Sequence, residues 1–454
     1  MSDLHLGPGW LPNGQLDPLE DFTAGTEFAR FLDRIGSGRD PVELVIAGDF
    51  LEYCQTLPEI GLASPEDGLG STQAESIQRT RVIMGQEPRR STGHPEVFDG
   101  LRRFMSEGNS VTIIAGNHDI DMLWPGVWVQ LFDAIYPPGA WGDLRRVAYS
   151  YTVGRGQQGR VHIEHGHEHD KANRFGDRMA QPFGLDQFGV RRLKRCWGTL
   201  FVDKVYNQLE QERWFIDNVK PILRVVKLGL RNDFIFTATA IGLVVRFLIT
   251  SGLPPLLGAS PDDDLGLSDD AALELLPSLI DDPDLRAAVE AQLSNPERRA
   301  QLAAALHGDG DLPMGLMLGG AAAGLQLDDP DDLITSPDGG VILGGAMAED
   351  TYRQAARAVL AADPSITTVV MGHTHGSIDG TENPLQLPDG RTGYYFNTGT
   401  WTRHLRDEGR RAYSWNEIRD ERNYTASLSY VRLDPDGKGG YHPTLGSWQA
   451  DCQR

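Results

Sequence analysis

Four apolar-rich stretches of the chain run straight into a glycine or a polar turn: residues 42–47 into Gly48-Asp49, 111–115 into Gly116-Asn117, 161–164 into His165, and 366–371 into Gly372. Short β-branched runs with such punctuation predict strands, and here each predicted strand delivers polar residues from its C-terminal end. Residues 394–398 predict a further strand, turning at Gly399-Thr400-Trp401, with Asn397 and Thr398 placed to buttress the loop after Gly372. A helix is expected near 349–361. Shorter helical patterns cover 269–279 and 284–293, and Asp281-Asp282-Pro283-Asp284 and Ser294-Asn295-Pro296-Glu297 read as helix starts. Residues 234–249 carry one charge, Arg246. A bilayer span wants about 20 apolar residues, so a buried or interfacial helix is expected there.

This order predicts a mixed α/β (α+β) fold divided by an insertion. Residues 1–170 form its first part and 341–454 its second, with a helical cap at 171–340 that is basic over 171–231, apolar over 234–249 and acidic over 261–338. Residues 61–95, rich in Gly, Ser, Pro and Gln, predict a loop or lid carrying Arg79, Arg81, Arg89, Arg90 and His94. The glycine run at 319–324 is no phosphate loop, since no Lys-Ser/Thr follows it.

Composition narrows the class. With 454 residues, 40% of them hydrophobic, a sizeable core is available. Three scattered cysteines argue against a disulfide framework. No basic segment followed by an apolar run opens the chain, so a cytoplasmic location is expected. A net charge of -22 speaks against a general nucleic-acid binder. Residues 171–231 depart from that balance, with thirteen Lys and Arg against six Asp and Glu. Two readings stand side by side. Either these cations, including Arg191 and Arg192, pair with the chain's own acids, or they meet anionic headgroups or a diphosphate while the apolar helix faces lipid.

The strand ends carry the candidate chemistry. Asp3-Leu4-His5, Gly48-Asp49, Gly116-Asn117-His118-Asp119, His165-Gly166-His167 and Gly372-His373-Thr374-His375 supply carboxylate, imidazole and amide oxygen. Those donors suit a borderline divalent metal, Mn first, with Fe, Zn, Co or Ni as alternatives. A lone Asp-x-His or Gly-Asp is commonly a turn or a helix cap; five such motifs in this order are not.

The ordered set resembles the calcineurin-like metallophosphoesterase superfamily, with its D-x-H, G-D-x-x-D, G-N-H-D/E, H and G-H-x-H pattern. The resemblance implies a two-sheet sandwich flanked by helices and two divalent cations. Asp3, His5, Asp49 and His375 would hold one, and Asp49 would bridge to a second held by Asn117, His165 and His373. It also implies that His118 protonates the leaving group or steadies the phosphoryl oxygens, with Asp119 orienting its ring. Two features depart from the pattern. Glu52 replaces the second acid of G-D-x-x-D and is expected to act through hydrogen bonds. Asp3 follows Met1 by only two residues, so the first strand of the family lies either upstream of this start or is replaced by a short, frayed terminus.

The implied activity is hydrolysis of a phosphoester or diphosphate by metal-activated water, without a covalent intermediate. Within the superfamily, Gly-Asp-Phe-Leu-Glu, the His-Gly motif and a basic cap are similar to the branch of UDP-2,3-diacylglucosamine pyrophosphatases. That branch often has Arg where this chain has His118. The implied substrate is a lipid-linked or nucleotide diphosphate, with the enzyme cytoplasmic or peripheral at an anionic membrane. Glu52, His167, Arg79, Arg81, Arg191 and Arg192 are candidate substrate contacts. A phosphomonoesterase, a protein phosphatase and a noncatalytic scaffold of this fold are the alternatives.

Overall fold

Leu44 and Ile46 project from one side of the first strand and Val45 and Ala47 from the other, and that alternation sets the layers. The computed structural model describes the chain apart from residues 58–68, 157, 177–178, 217, 220–222, 248–272, 275–276, 278–282, 308–348, 407–412 and 453–454. Strands β1 (Glu43–Ala47), β2 (Ser110–Ile114) and β3 (Leu144–Val147) form a parallel sheet in that order. β4 (Ser150–Val153) and β5 (Arg160–Glu164) belong to a second sheet. A hairpin of β6 (Phe183–Leu185) and β7 (Arg191–Leu193) intervenes before β8 (Ile366–Met371), β9 (Ser377–Ile378), β10 (Leu385–Gln386) and β11 (Thr392–Thr398) complete that sheet. Its order is β10-β11-β8-β5-β4, with β9 on β11; β5, β8 and β11 run parallel at its centre.

Helices α1 (Gly25–Gly36) and α3 (Pro95–Ser106) carry Phe28, Phe31 and Leu32, and Leu101, Phe104 and Met105, at helical spacing. These side chains join Leu44, Ile46, Val111 and Ile113 in one buried cluster. The opposite face of the first sheet contributes Ala47 and Ile114 to a second cluster with Val161, Ile163, Val370 and Phe396. The first sheet therefore lies between helices and the second sheet, and the expected strands all form within a residue or two of their predicted bounds. The helix Glu349–Ala362 also agrees with expectation and buries Tyr352, Ala356 and Leu360.

Three expectations need correction. The terminus is not frayed: Ala47 N–H donates to Met1 O (2.8 Å), Leu4 N–H to Asp49 O (2.9 Å) and Leu6 N–H to Phe50 O (3.0 Å), and Leu4 and Leu6 are fully buried. Residues 73–83, expected as loop, form helix α2 (Gln73–Ile83), which Thr72 and Glu75 start with a reciprocal capping box. The expected break at 171 lies later, because β7 is tied to the segment before α2 through Gly70 N–H to Leu193 O (2.6 Å) and Leu193 N–H to Ser71 O (3.0 Å). The chain divides into one unit of Met1–Asp203, Glu349–Arg403 and Thr425–Arg454, and another of Lys204–Ala348 and His404–Tyr424.

The second unit holds the helices Leu223–Asn232, Phe234–Phe247, Pro283–Leu293 and Pro296–His307. Both expected proline starts are observed, and Asn295 Oδ1 accepts from Glu297 N–H (3.0 Å). The helix expected over 269–279 lies largely, and the glycine run at 319–324 wholly, outside the described residues. Among the described residues no helix is long and apolar enough to cross a membrane.

Candidate metal centre

Four of the five motifs follow directly on the C-terminal end of β1, β2, β5 or β8, Asp3-Leu4-His5 lies beside the first of them, and several of the side chains are turned by sharply bent backbone. Six non-glycine residues among those described have left-handed φ, and five of them are Asp3 (53°), His5 (48°), Asp49 (48°), His373 (69°) and His375 (61°). Such conformations cost energy in residues with a Cβ and persist where surrounding contacts over-determine them. Those contacts are present. Asp3 O accepts from Trp401 N–H (3.1 Å) and Thr400 Oγ1 (2.8 Å), and the Asp3 carboxylate accepts from His373 N–H (3.0 Å). Asn397 Nδ2 donates to Gly372 O (2.8 Å) and Thr374 Oγ1 (3.0 Å), the buttress expected of it. A side chain at Gly116 would collide with the Asp49 carboxylate, and one at Gly372 with Ser2 and Asp3, so both positions require glycine.

Two groups of donors converge. In one, His5 Nε2 lies 3.2 Å from His375 Nε2 and 3.6 Å from Asp49 Oδ2, and Asp3 Oδ1 lies 3.4 Å from His375 Nε2. In the other, His165 Nε2 lies 3.0 Å from Asp49 Oδ2 and 3.3 Å from Asn117 Oδ1, with His373 within reach of both Asp49 and His165. All seven predicted ligands are thus brought together, with Asp49 shared between the groups.

The rings' far sides decide what the near sides offer. His5 Nδ1 is committed to Glu52 Oε2 (2.7 Å) and His165 Nδ1 to Ala47 O (2.9 Å). With those nitrogens donating, each Nε2 presents a lone pair to carboxylate and amide oxygens, which are themselves acceptors. An acceptor-only convergence needs a positive charge, supplied by ring protons or by a cation, and the N,O set suits a divalent metal. The same potential acts on His165: burial would lower its pKa, but Asp49 drives it up to about 9.

His118 and its neighbours differ from expectation. Asp119 does not orient the His118 ring. Its oxygens accept Gly116 N–H (2.6 Å) and Phe50 N–H (2.8 Å) and lock two ligand loops together. Glu52 takes the orienting part, standing 2.6 Å from His118 Nδ1 in an ion pair while it holds His5. Its other oxygen accepts Cys54 N–H (2.9 Å) and Gln55 N–H (3.2 Å). Burial would raise the Glu52 pKa, but the His118 and His5 rings hold it down at about 2. Burial pulls the His118 pKa down, yet the Glu52 and Asp49 charges leave it raised.

The candidate substrate residues fare unevenly. Arg79 is buried and donates to Ser71 Oγ (2.6 Å), so it faces the interior and no substrate. Arg81 stands exposed in the last turn of α2. Arg192 donates to Asp186 Oδ2 (2.8 Å), and the Arg191 guanidinium lies over the Phe183 ring at 4.2 Å. His167 is buried beside His165, and burial lowers its pKa to about 4, which leaves it neutral. Asp170 and Asn173 were assigned no role from sequence. They lie against His373 and Asn117, and the run His-Gly-His-Glu-His-Asp with Asn173 after it was the signal available.

No known protein family matches the chain, and no curated protein resembles it to a significant degree.

Proposed function

We propose that this chain is a calcineurin-like metallophosphoesterase, with the two-sheet sandwich of that superfamily, that hydrolyses a phosphodiester or diphosphate bond using two divalent cations. The observation that carries the reading is the pair of acceptor-only donor sets meeting at Asp49, with the far nitrogens of His5 and His165 already committed elsewhere. Asp3, His5 and His375 would hold one cation, Asn117, His165 and His373 the other, and Asp49 both. When bound, two such cations polarise phosphoryl oxygens and lower the pKa of water, so that a nucleophile is available near neutral pH. Glu52 fixes the His118 ring through Nδ1 and keeps it charged, which leaves Nε2 to give its proton to the leaving-group oxygen. Asp119 keeps the loops bearing Asp49 and Asn117 in register.

The substrate class we favour is a lipid-linked or nucleotide diphosphate, at the surface of an anionic membrane. A specific feature favours that surface. The β6–β7 turn exposes Leu185 (70%) and Phe188 (81%), and it is held rigid by Asp186 Oδ1, which accepts Phe188 N–H (2.9 Å) and Val190 N–H (2.8 Å). Arg191, exposed and paired across the hairpin with Leu185, adds a cation beside these apolar side chains, an arrangement suited to shallow insertion among anionic headgroups.

The deciding experiment is hydrolysis of bis-p-nitrophenyl phosphate, p-nitrophenyl phosphate and a UDP-linked acyl sugar, with Mn and after chelation. Chelator-sensitive turnover of the diester or diphosphate is expected. Turnover of the monoester alone would favour a phosphomonoesterase or protein phosphatase, and no turnover with any metal would favour a noncatalytic scaffold.

A further inference from the structure

Outside the seven ligands, a chain of polar contacts closes around the second donor group. Asp170 Oδ2 lies 3.2 Å from His373 Nε2 and accepts from Asn173 Nδ2 (2.6 Å). Asn173 Oδ1 in turn accepts from Asn117 Nδ2 (3.3 Å), and Asp170 Oδ1 is fixed by Ala172 N–H (2.9 Å). Gly198 has no side chain where Asn173 Oδ1 packs, so the backbone leaves room for this link. Asp170 is not itself in the donor set. Metal bonds of about 2 Å put any two donors within roughly 4.4 Å of each other, whereas Asp170 falls outside the group Asp49, His165 and His373, whose ligand atoms lie within 4.8 Å of one another.

Each contact settles an orientation that the donor set needs. An asparagine amide has one donating and one accepting end, and Asn173 takes the donating end of Asn117, which turns Oδ1 towards His165 and Asp49. An imidazole that donates from Nε2 to a carboxylate offers the lone pair of Nδ1, and Asp170 fixes that tautomer at His373. We infer that Asp170 and Asn173 are positioning residues that orient His373 and Asn117 for the second cation, through the relay Asn117–Asn173–Asp170–His373. The inference rests on the dinuclear reading above.

Mn(II) titration by calorimetry, with electron paramagnetic resonance of the loaded protein, tests it without recourse to turnover. The wild-type protein should take up two Mn and give an exchange-coupled spectrum. Asp170→Ala and Asn173→Ala should keep the first site at wild-type affinity and weaken the second about 10- to 100-fold, with an uncoupled signal at one equivalent. Asp170→Asn, which still offers His373 an acceptor, should fall between. General loosening of the fold would weaken both sites equally and would overturn the assignment, as would two wild-type affinities in Asp170→Ala. A wild-type protein that binds no Mn would remove the dinuclear reading and the relay together; two Mn bound at wild-type affinity in every variant would remove the relay alone.

Discussion

Glu52 shows how much one carboxylate can settle at the residue scale. A single oxygen, Oε2, serves both His5 and His118, so the same charge sets a ligand's tautomer and keeps the proton on the candidate acid. His118→Ala should lose roughly 10²- to 10⁴-fold in kcat while still binding Mn. Glu52→Gln, assayed at saturating Mn, should lose less and should shift the pH profile. An acid works only while protonated; without the Glu52 charge the His118 pKa falls, so the alkaline limb should move to lower pH. An alkaline limb that stays in place would place another group in the acid's position. The convergence of the seven candidate ligands was legible in the sequence because metal chemistry restricts residue type and strand ends restrict position. The parts played by Glu52, Asp119, Asp170 and Asn173 were not, because spacing alone does not say which of several nearby acids and amides reaches which ring.

At the scale of elements, strands were read well because a buried β1 or β2 leaves a continuous apolar trace, whereas α2 was read as loop. Alongside Val82 and Ile83 it buries Ser76, Arg79 and Thr80, so much of its inner face is polar and carries little apolar period, although Thr72-x-x-Glu75 did announce its start. The loop before α1 is held by another polar device. Fully buried Glu20 accepts Gly9 N–H (2.6 Å), Phe22 N–H (2.7 Å) and His94 Nε2 (2.9 Å), so His94 pins that loop to the start of α3. Burial would lower the His94 pKa, but Glu20 raises it to about 9. A raised histidine pKa stabilises the fold fully below the ordinary value of about 6.5 and ceases to do so as pH climbs through 9. Urea unfolding should therefore show a loss on the order of 3 kcal/mol between pH 6 and pH 9.5. His94→Gln should be less stable at pH 6 and should lose about 3 kcal/mol less than wild type over that window; an equally steep slope in the variant would assign the effect elsewhere.

For the whole molecule, the sequence reading located an insertion but set its start too early, since the β6–β7 hairpin pairs with the segment before α2 and so belongs with the sheets. The hairpin's cations also looked freer in sequence than they are: Arg192 is paired with Asp186, and Arg195 is buried against Asp203. What remains exposed is mainly apolar. Sedimentation with anionic vesicles should fall about tenfold when Leu185, Phe188 and Val190 are replaced together by Ser, with Mn binding unchanged; equal sedimentation would exclude the turn as the contact.

The clasp on Asp3 has a consequence for the order of events in the cell. Its carboxylate and carbonyl are held by His373, Thr400 and Trp401, and both donor groups draw a histidine from the segment after β8. A nascent chain still on the ribosome has the first half of the site exposed in the tunnel or beyond it while the other half is not yet made. On the dinuclear reading neither cation would find its full set of donors until residues near 400 had emerged, so metal loading would come late in synthesis or after it, and prematurely ended products would be released without a working centre.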